Sequence, residues 1–231
     1  MEYLPNGMTI ELPAGTFPLS TDSVVLAHAV RLPRNARVLD LGSGCGTLGL
    51  LLCDRDPGCH ITGLELSEAS HAAALENIRR NRLEARMTSI HGDLRELTPD
   101  LWDHFQVCVS NPPYFSGGPA SITNPMARRD DCCTPEDLMR AAARALKFGG
   151  DFYLVHKPEK LAQLISRAAD CGLEAKELTL LRHKSDGPIS LILLKFRKGA
   201  KSGLVLHEHC LFDSRGEATG YYREVYHIKG D

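Results

Sequence analysis

The stretch that decides the fold is Val38-Leu39-Asp40-Leu41-Gly42-Ser43-Gly44-Cys45-Gly46-Thr47. Its first four residues have the apolar, β-branched character of a buried strand, and the apolar residues through Leu52 predict a helix immediately after the glycines. Glycines between a strand and a helix let a ligand approach the backbone at the carboxyl end of the strand. The stretch therefore predicts an α/β fold with a ligand site at the edge of its sheet.

Strand and helix patterns alternate on the C-terminal side of this stretch. Short apolar runs predict strands over 60–64, 87–91, 105–109 and 152–155, with helices over 67–81, 135–147 and 160–171. A polar turn with Gly187 and Pro188 joins two closing strands, over 175–181 and 189–196. Such alternation predicts a doubly wound, mostly parallel sheet with helices on both faces.

The two ends of the chain differ from this core. Residues 1–35 predict a hairpin and then a helix that begins near Thr21 and is ended by Pro33. Residues 198–231 contain a possible strand over 203–206 and three tyrosines, and such aromatic content favours packing on the core over a free tail. We expect one domain over 1–231, with the core at 36–197 and an extension at each end.

Composition places the chain among ordinary soluble proteins. Of its 231 residues, 43% are hydrophobic and 24% charged, and no apolar run approaches the roughly 20 residues of a membrane span. The first residues carry no secretory signal, and the eight cysteines include no C-x-x-C pair, so we expect buried thiols in the cytoplasm. From Lys176 onward ten Lys and Arg face seven Asp and Glu, a surplus that ordinary surface charge explains as well as a nucleic-acid face.

A second motif follows the strand predicted over 105–109: Ser110-Asn111-Pro112-Pro113-Tyr114-Phe115. Neither proline can donate to a sheet, so the strand ends abruptly and leaves backbone carbonyls free. Asn111 adds a side-chain carbonyl and Tyr114 adds a flat ring. Two acceptors beside an aromatic plane suit a planar group with an NH2, such as adenine or a primary amide; the alternative is a rigid turn.

Three acidic residues stand at the ends of three predicted strands. Asp40 lies two residues before the first glycine, Glu65 ends the next strand, and Asp93 follows the strand after that. A carboxylate about 20 residues beyond a glycine loop can accept both ribose hydroxyls, and Asp93 could accept from an adenine amino group. Each residue alone could be a helix cap or solvated, but together they predict a nucleoside site.

In this order, the glycine stretch, Glu65, Asp93 and Asn111-Pro112-Pro113-Tyr114 resemble the class I S-adenosylmethionine-dependent methyltransferases, in the branch that methylates amines. The resemblance covers roughly residues 17–197. It implies a Rossmann-like, seven-stranded sheet whose last strand pair is antiparallel, and S-adenosylmethionine as cofactor. It also implies cofactor contacts, which would come from Asp40, Gly42, Gly44, Gly46, Glu65, Asp93 and Asn111.

Within that branch, glutamine-methylating enzymes share the Asn-Pro-Pro-Tyr motif but carry a helical domain before the glycine loop, where this chain has about 35 residues. The opening at 17–22 and the residues after Tyr114 are similar to the tRNA adenine N6-methyltransferases that modify the base beside the anticodon of a valine tRNA. This similarity implies that Thr21 and Asp22 border the cofactor carboxylate. It further implies that the substrate is contacted by Pro113, Tyr114, Phe115, Arg128 and Arg129. The two arginines stand in a long polar loop, from which they could reach tRNA phosphates.

The expected reaction is methyl transfer to an exocyclic amine held by Asn111 and Pro112 and stacked on Tyr114. No general base and no metal are expected; His207-Glu208-His209-Cys210 has ligand-like spacing, but alternate residues of one strand explain it better. The alternatives are N-methylation of rRNA guanine, a protein glutamine amide or a small molecule. A non-catalytic RNA-binding module and an NAD-dependent oxidoreductase also stay open.

Overall fold

The computed structural model of the protein describes residues 1–13, 19–112 and 133–228. A small hairpin pairs β1 (Glu2–Tyr3) with β2 (Thr9–Ile10). The main sheet has the order β10-β8-β9-β7-β6-β3-β4-β5. Its strands are β3 (Arg37–Leu41), β4 (His60–Glu65), β5 (Met87–His91), β6 (Phe105–Ser110), β7 (Leu146–His156), β8 (Leu173–Lys184), β9 (Ile189–Lys198) and β10 (Val205–Phe212). The helices are α1 (Thr21–Ala29), α2 (Thr47–Cys53), α3 (Glu68–Arg80), α4 (Pro135–Ala145), α5 (Leu161–Asp170) and α6 (Gly220–Val225).

The sheet is mostly parallel, which confirms the fold class expected from the sequence. Strands β5, β4, β3, β6 and β7 pair in parallel, whereas β9 is antiparallel to both β7 and β8. The expected count of seven strands is wrong, because β10 adds an eighth strand parallel to β8. The short strand expected over 203–206 extends instead over Val205–Phe212, since its backbone continues to pair along β8.

The boundary between α4 and β7 also differs from the sequence prediction. Thr134 begins the helix with a capping box closed by Asp137, but the helix ends at Ala145 and the chain is already extended at Leu146. Gly149 and Gly150, expected to stop a helix, lie inside β7. A shift of register beside β6 occurs here, and the positive φ of Gly149 (79°) provides the backbone conformation for it.

Two hydrophobic cores cover the two faces of the sheet. Neighbouring residues of β3 belong to different cores, because side chains alternate between the two faces of a strand. Val38 packs with α1 and α2, whereas Leu39 packs with α4 and α5. Both residues are fully buried. Burial on both faces holds β3 in place within the sheet. It thereby also sets the position of the glycine loop that follows this strand.

Helix α1 is held at both ends by side chains distant in sequence. The guanidinium of Arg55 donates to the carbonyls of Ala27, His28 and Val30 at its C-terminal end, with 2.7 Å to the last. At its N-terminal end, the hydroxyl of Tyr226 contacts Thr21. These contacts tie both ends of the helix to segments that lie elsewhere in the sequence.

The C-terminal residues continue the aromatic packing next to α1. The rings of His209 and Tyr221 stack at 4.2 Å between centroids, and those of Tyr222 and Tyr226 stack at 4.5 Å. The first of these contacts joins α6 to β10, and an edge-on contact of Tyr221 with His28, at 5.7 Å between ring centroids, joins α6 to α1. Within the three described ranges, no helix is long and apolar enough to cross a membrane.

Candidate active site

The candidate site lies at the edge where the parallel strands β3, β4, β5 and β6 end. The carboxyl ends of parallel strands meet at one edge of a sheet, and this is where doubly wound folds bind ligands. Asp40, Glu65 and Asn111 stand at or just beyond the ends of three adjacent strands. The structure therefore brings together residues that the sequence analysis selected from distant segments.

Asp40 is a buried carboxylate without a hydrogen-bond partner among the described residues. Its exposed fraction is 1%, and neither Oδ1 nor Oδ2 is bonded. Burial, and then the nearby charge of Glu65, raise the pKa of Asp40 to about 8. Burial of a carboxyl group without a hydrogen bond costs free energy unless a cation or a hydrogen-bond donor binds to it. Asp40 marks the place where a positively charged ligand group would be stabilised.

Ser43 is a second buried polar group of this kind, which the sequence analysis missed. Its Oγ is enclosed and unbonded in the part of the chain that the structure describes. It lies over Gly63 of the neighbouring strand, where an added Cβ would come within 2.6 Å of that oxygen. Its position inside the glycine loop was the one sequence signal that could have identified it.

The glycine loop has the backbone form that its composition predicts. Gly42, Gly44 and Gly46 all have positive φ, at 73°, 55° and 90°. A Cβ added at Gly42 or Gly44 would meet no atom of the described residues within 4 Å, so none of them lies against the backbone there. Gly46 then begins α2. The loop thus offers, beside Asp40, a backbone surface that the described residues leave uncovered.

Glu65 fastens this loop to the next helix. One carboxylate oxygen accepts a hydrogen bond from the backbone N–H of Gly44, and the other accepts from Ser67, each at 2.8 Å. Ser67 is the N-cap residue of α3, as the sequence predicts. Each oxygen of a carboxylate has a second lone pair, so Glu65 can still accept from ribose hydroxyls. That contact remains a prediction.

Asp93 lies beyond β5 but is already engaged. It caps the short 3-10 turn at Leu94–Glu96, and its carboxylate pairs with the guanidinium of Arg95 at 2.9 and 3.0 Å. The hydrogen bond from Arg95 lowers the pKa of Asp93. The role of Asp93 as an adenine acceptor is a prediction that would require this arginine to share or leave the carboxylate.

The Asn-Pro motif begins where the sequence predicts that the strand ends. β6 stops at Ser110, whose buried Oγ donates to the carbonyl of Leu41 at 2.7 Å. Asn111 follows, half-buried, and its Nδ2 donates to Oγ of Ser23 at 2.9 Å. Pro112 is buried. The other expected substrate residues lie outside the described residues, namely Pro113, Tyr114, Phe115, Arg128 and Arg129.

Thr21 and Asp22 form the first turn of α1, next to Asn111. The hydroxyl of Tyr226 donates to Oγ1 of Thr21 at 3.1 Å. Partial burial raises the pKa of Asp22, and the charge of Lys157 opposes that shift. The structure thus places this turn at the same edge as Asp40. The contact of Thr21 and Asp22 with a cofactor carboxylate remains a prediction.

The two histidines of β10 each contact another side chain of the protein. His209 stacks on Tyr221, and Nε2 of His207 lies 3.8 Å from a carboxylate oxygen of Glu177. The residues that form the ligand-like spacing lie on one strand, β10, as the sequence analysis favoured.

Comparison with known proteins identifies the family of this chain. Residues 18–168 match the family model of the methyltransferase small domain. A tRNA1(Val) (adenine(37)-N6)-methyltransferase of Bacteroides thetaiotaomicron is 32% identical over 213 residues, covering 90% of this chain and 87% of the relative. One from Photobacterium profundum is 27% identical, covering 85% and 84%. A solved structure of a predicted O-methyltransferase from Agrobacterium tumefaciens superposes with a TM-score of 0.76 at 21% identity, covering 90% of this chain and 96% of that one.

Fold and site together define a class of protein, the S-adenosylmethionine-dependent methyltransferases. The chain belongs to the methyltransferase small domain family. Its residues fit the cofactor: the unbonded carboxylate of Asp40 suits an ammonium group, the open glycine loop accommodates a close ligand, and Glu65 has acceptor capacity beside it. Asp40, Gly42, Gly44 and Glu65 would hold S-adenosylmethionine.

Proposed function

We propose that this protein methylates the exocyclic N6 amine of an adenine in RNA, and that the RNA is a tRNA. The observation that carries the proposal is the hydrogen bond from Nδ2 of Asn111 to Ser23. Because the nitrogen of the amide is used there, its carbonyl oxygen is left as an acceptor at the strand edge that also holds the unbonded Asp40. An acceptor in that position suits a substrate that approaches with an N–H.

The N6 amine of adenine is a poor nucleophile because its lone pair is delocalised into the ring. The carbonyl oxygens of Asn111 and Pro112 would each accept one of the two N–H groups, which favours a pyramidal nitrogen with a localised lone pair. S-adenosylmethionine supplies, when bound, an activated methyl group for displacement. The task of the protein is then to hold and orient the amine, a contribution that is large when reacting groups are fixed.

A general base is not required before transfer. The amine becomes acidic only as it gains the methyl group, so water can take the proton afterwards. The pKa of the buried His156, which ends β7, is lowered by burial, and we give this side chain no part in the reaction.

The choice of tRNA is supported by relatives rather than by geometry. Two relatives that are similar over most of their length are tRNA1(Val) (adenine(37)-N6)-methyltransferases. In this proposal Tyr114 stacks on the adenine, Pro113 and Phe115 line its pocket, and Arg128 and Arg129 contact tRNA phosphates. A base removed from its stack would reach Asn111 in this way.

The test is methylation of a tRNA1(Val) transcript by the purified protein with methyl-labelled S-adenosylmethionine. Digestion and mass spectrometry of the nucleosides should show N6-methyladenosine, and a transcript with guanine at position 37 should stay unmodified. We expect Asn111→Ala to abolish transfer while calorimetry shows binding of S-adenosylhomocysteine within about threefold of wild type.

Other outcomes would replace the proposal with a specific alternative. Label in a protein extract but not in RNA would point to an amide acceptor, and label in guanine would point to an rRNA-type substrate. Full activity of Asn111→Ala would remove the assigned role of the motif. Tight binding of NAD without binding of S-adenosylhomocysteine would contradict the cofactor assignment.

A further inference from the structure

We propose that Ser23 is a positioning residue for methyl transfer: by accepting a hydrogen bond from Nδ2 of Asn111, it turns the carbonyl oxygen of that side chain toward the acceptor amine. This inference rests on the proposed function, since Ser23 acts through Asn111. The two residues lie 88 positions apart and meet at 2.9 Å.

Ser23 is held in a fixed place. It is the third residue of α1 and only 7% exposed, and the residues that follow it, Val24 and Val25, are buried in the core. A buried hydroxyl needs a hydrogen-bond partner, and Asn111 provides one. Because Arg55 and Tyr226 hold the two ends of the helix, the position of Ser23 relative to the sheet is set.

The backbone at Asn111 is also restrained on both sides. On one side, Ser110 bonds to Leu41 at 2.7 Å, and on the other, Pro112 restricts Asn111 to extended conformations. Rotation of the amide by half a turn would exchange its oxygen and its nitrogen. A serine hydroxyl can accept from Nδ2 or donate to Oδ1, so the contact with Ser23 anchors the amide, and the N–H groups of the incoming amine, which can only donate, select the orientation with Nδ2 on Ser23.

The two orientations of the amide differ in what they offer the substrate. With Nδ2 on Ser23, the oxygen is available to accept from the N–H groups of an incoming amine. With the amide reversed, an NH2 group would meet an NH2 group, and two sets of donors repel. Ser23 therefore acts on orientation, and its loss should reduce the rate of transfer more than the binding of either substrate.

The experiment compares three variants in steady-state methylation of the tRNA1(Val) transcript. Ser23→Ala removes the acceptor, Ser23→Thr keeps a hydroxyl, and Ser20→Ala is the matched control, because Ser20 begins the same helix without a side-chain capping bond. We expect kcat to fall about tenfold in Ser23→Ala with KM for S-adenosylmethionine within about twofold, and to recover in Ser23→Thr. Ser20→Ala should behave as wild type.

A second readout follows the contact itself and needs no RNA. In the ¹⁵N-labelled complex with S-adenosylhomocysteine, the side-chain amide resonance of Asn111 is identified by its loss in Asn111→Asp. It should shift in Ser23→Ala and not in Ser20→Ala. An unmoved resonance overturns the inference, and so does a shifted resonance with wild-type kcat, which would leave Ser23 a packing residue.

Failure of the proposed function has a different signature. If wild-type protein forms no N6-methyladenosine in the transcript, the proposed function is overturned whatever Ser23 does. The resonance of Asn111 still responds to Ser23 in that case. The two failures are therefore told apart by running both measurements on the same preparations.

Discussion

The hydroxyl of Tyr226 donates to Oγ1 of Thr21 across 205 positions of sequence, at 3.1 Å. This contact joins the C-terminal segment to the first turn of α1, the turn that carries Thr21, Asp22 and the serine bonded to Asn111. Residues after β9 thus support the candidate site, although they lie far from it in sequence.

Tyr226→Phe tests this support by removing one hydroxyl while keeping the ring and its stacking on Tyr222. Loss of a single hydrogen bond should lower the free energy of unfolding by about 1 kcal/mol. Because Thr21 is then less well held, we also expect a several-fold weaker affinity for S-adenosylhomocysteine, measured by calorimetry. Tyr222→Phe is the control, since its hydroxyl makes no hydrogen bond to any described residue that the structure shows. Equal effects of the two variants would deny Thr21 this role.

Asp40→Asn should stabilise the free protein in neutral and mildly alkaline solution. The pKa of Asp40 is raised from 3.8 to about 8, so the folded protein binds this proton more tightly than the unfolded chain does. Its contribution to stability is complete below about pH 4 and is lost as the pH rises to about 8. The amide of Asp40→Asn does not titrate, so this loss does not occur in the variant. Near pH 8 its free energy of unfolding should exceed that of wild type by about 2 to 5 kcal/mol.

Denaturant unfolding of wild type and Asp40→Asn at pH 5 and pH 8 measures the difference. The gain should be larger at pH 8. Asp100→Asn is the control: at an exposed position, it should leave the free energy of unfolding within about 0.5 kcal/mol of wild type. A gain of the same size at both pH values would argue against a protonated Asp40 in the free protein.

Affinity for the cofactor should change with pH in the opposite direction to stability, and for the same residue, Asp40. If Asp40 must lose its proton to meet an ammonium group, affinity for S-adenosylhomocysteine should rise by up to about tenfold per pH unit below pH 8 and then level off. Calorimetry in buffers of different ionisation enthalpy should detect proton release at pH 7. Asp40→Asn should bind weakly with little pH dependence; a wild-type affinity that is flat between pH 6 and pH 8 would contradict this role.

Gly63→Ala should displace the glycine loop of the candidate site, because Gly63 lies directly under Ser43. The added Cβ would lie 2.6 Å from Oγ and 2.9 Å from Cβ of Ser43, so the glycine loop has to move. We expect a loss of about 1 to 3 kcal/mol in the free energy of unfolding and a severalfold weaker affinity for S-adenosylhomocysteine. Gly220→Ala is the matched control, because an added Cβ there meets nothing within 4 Å. Unchanged affinity in Gly63→Ala would show that Ser43 can shift without consequence for the ligand.

Local patterns in the sequence were sufficient for the elements that carry the site. The strand before Gly42, the loop with three positive φ angles, the cap at Ser67 and the end of β6 at Ser110 all depend on residues within one or two turns of each other. Periodicity, proline and glycine determine such features directly. For the same reason Asp40, Glu65 and Asn111 could be selected together, since strands of one parallel sheet end at one edge.

Predictions failed where the outcome depended on a distant partner. The run at Lys147-Phe148-Gly149-Gly150 reads equally as a helix end, and only pairing of Leu146 with Phe105 shows that β7 has already begun. Likewise, β10 became an eighth strand because β8 offered a free edge along which to pair. Sequence periodicity cannot identify such a partner.

The sequence by itself determined the class of fold, the glycine loop and the set of acidic and amide residues at its edge, because each follows from short-range conformational preference. The tertiary structure alone decided that Asp40 is enclosed with no hydrogen-bond partner among the described residues, that Ser23 meets Asn111 and that Tyr226 meets Thr21. Those relationships join residues up to 205 positions apart. They depend on how helices pack against the sheet, and no local pattern contains that information.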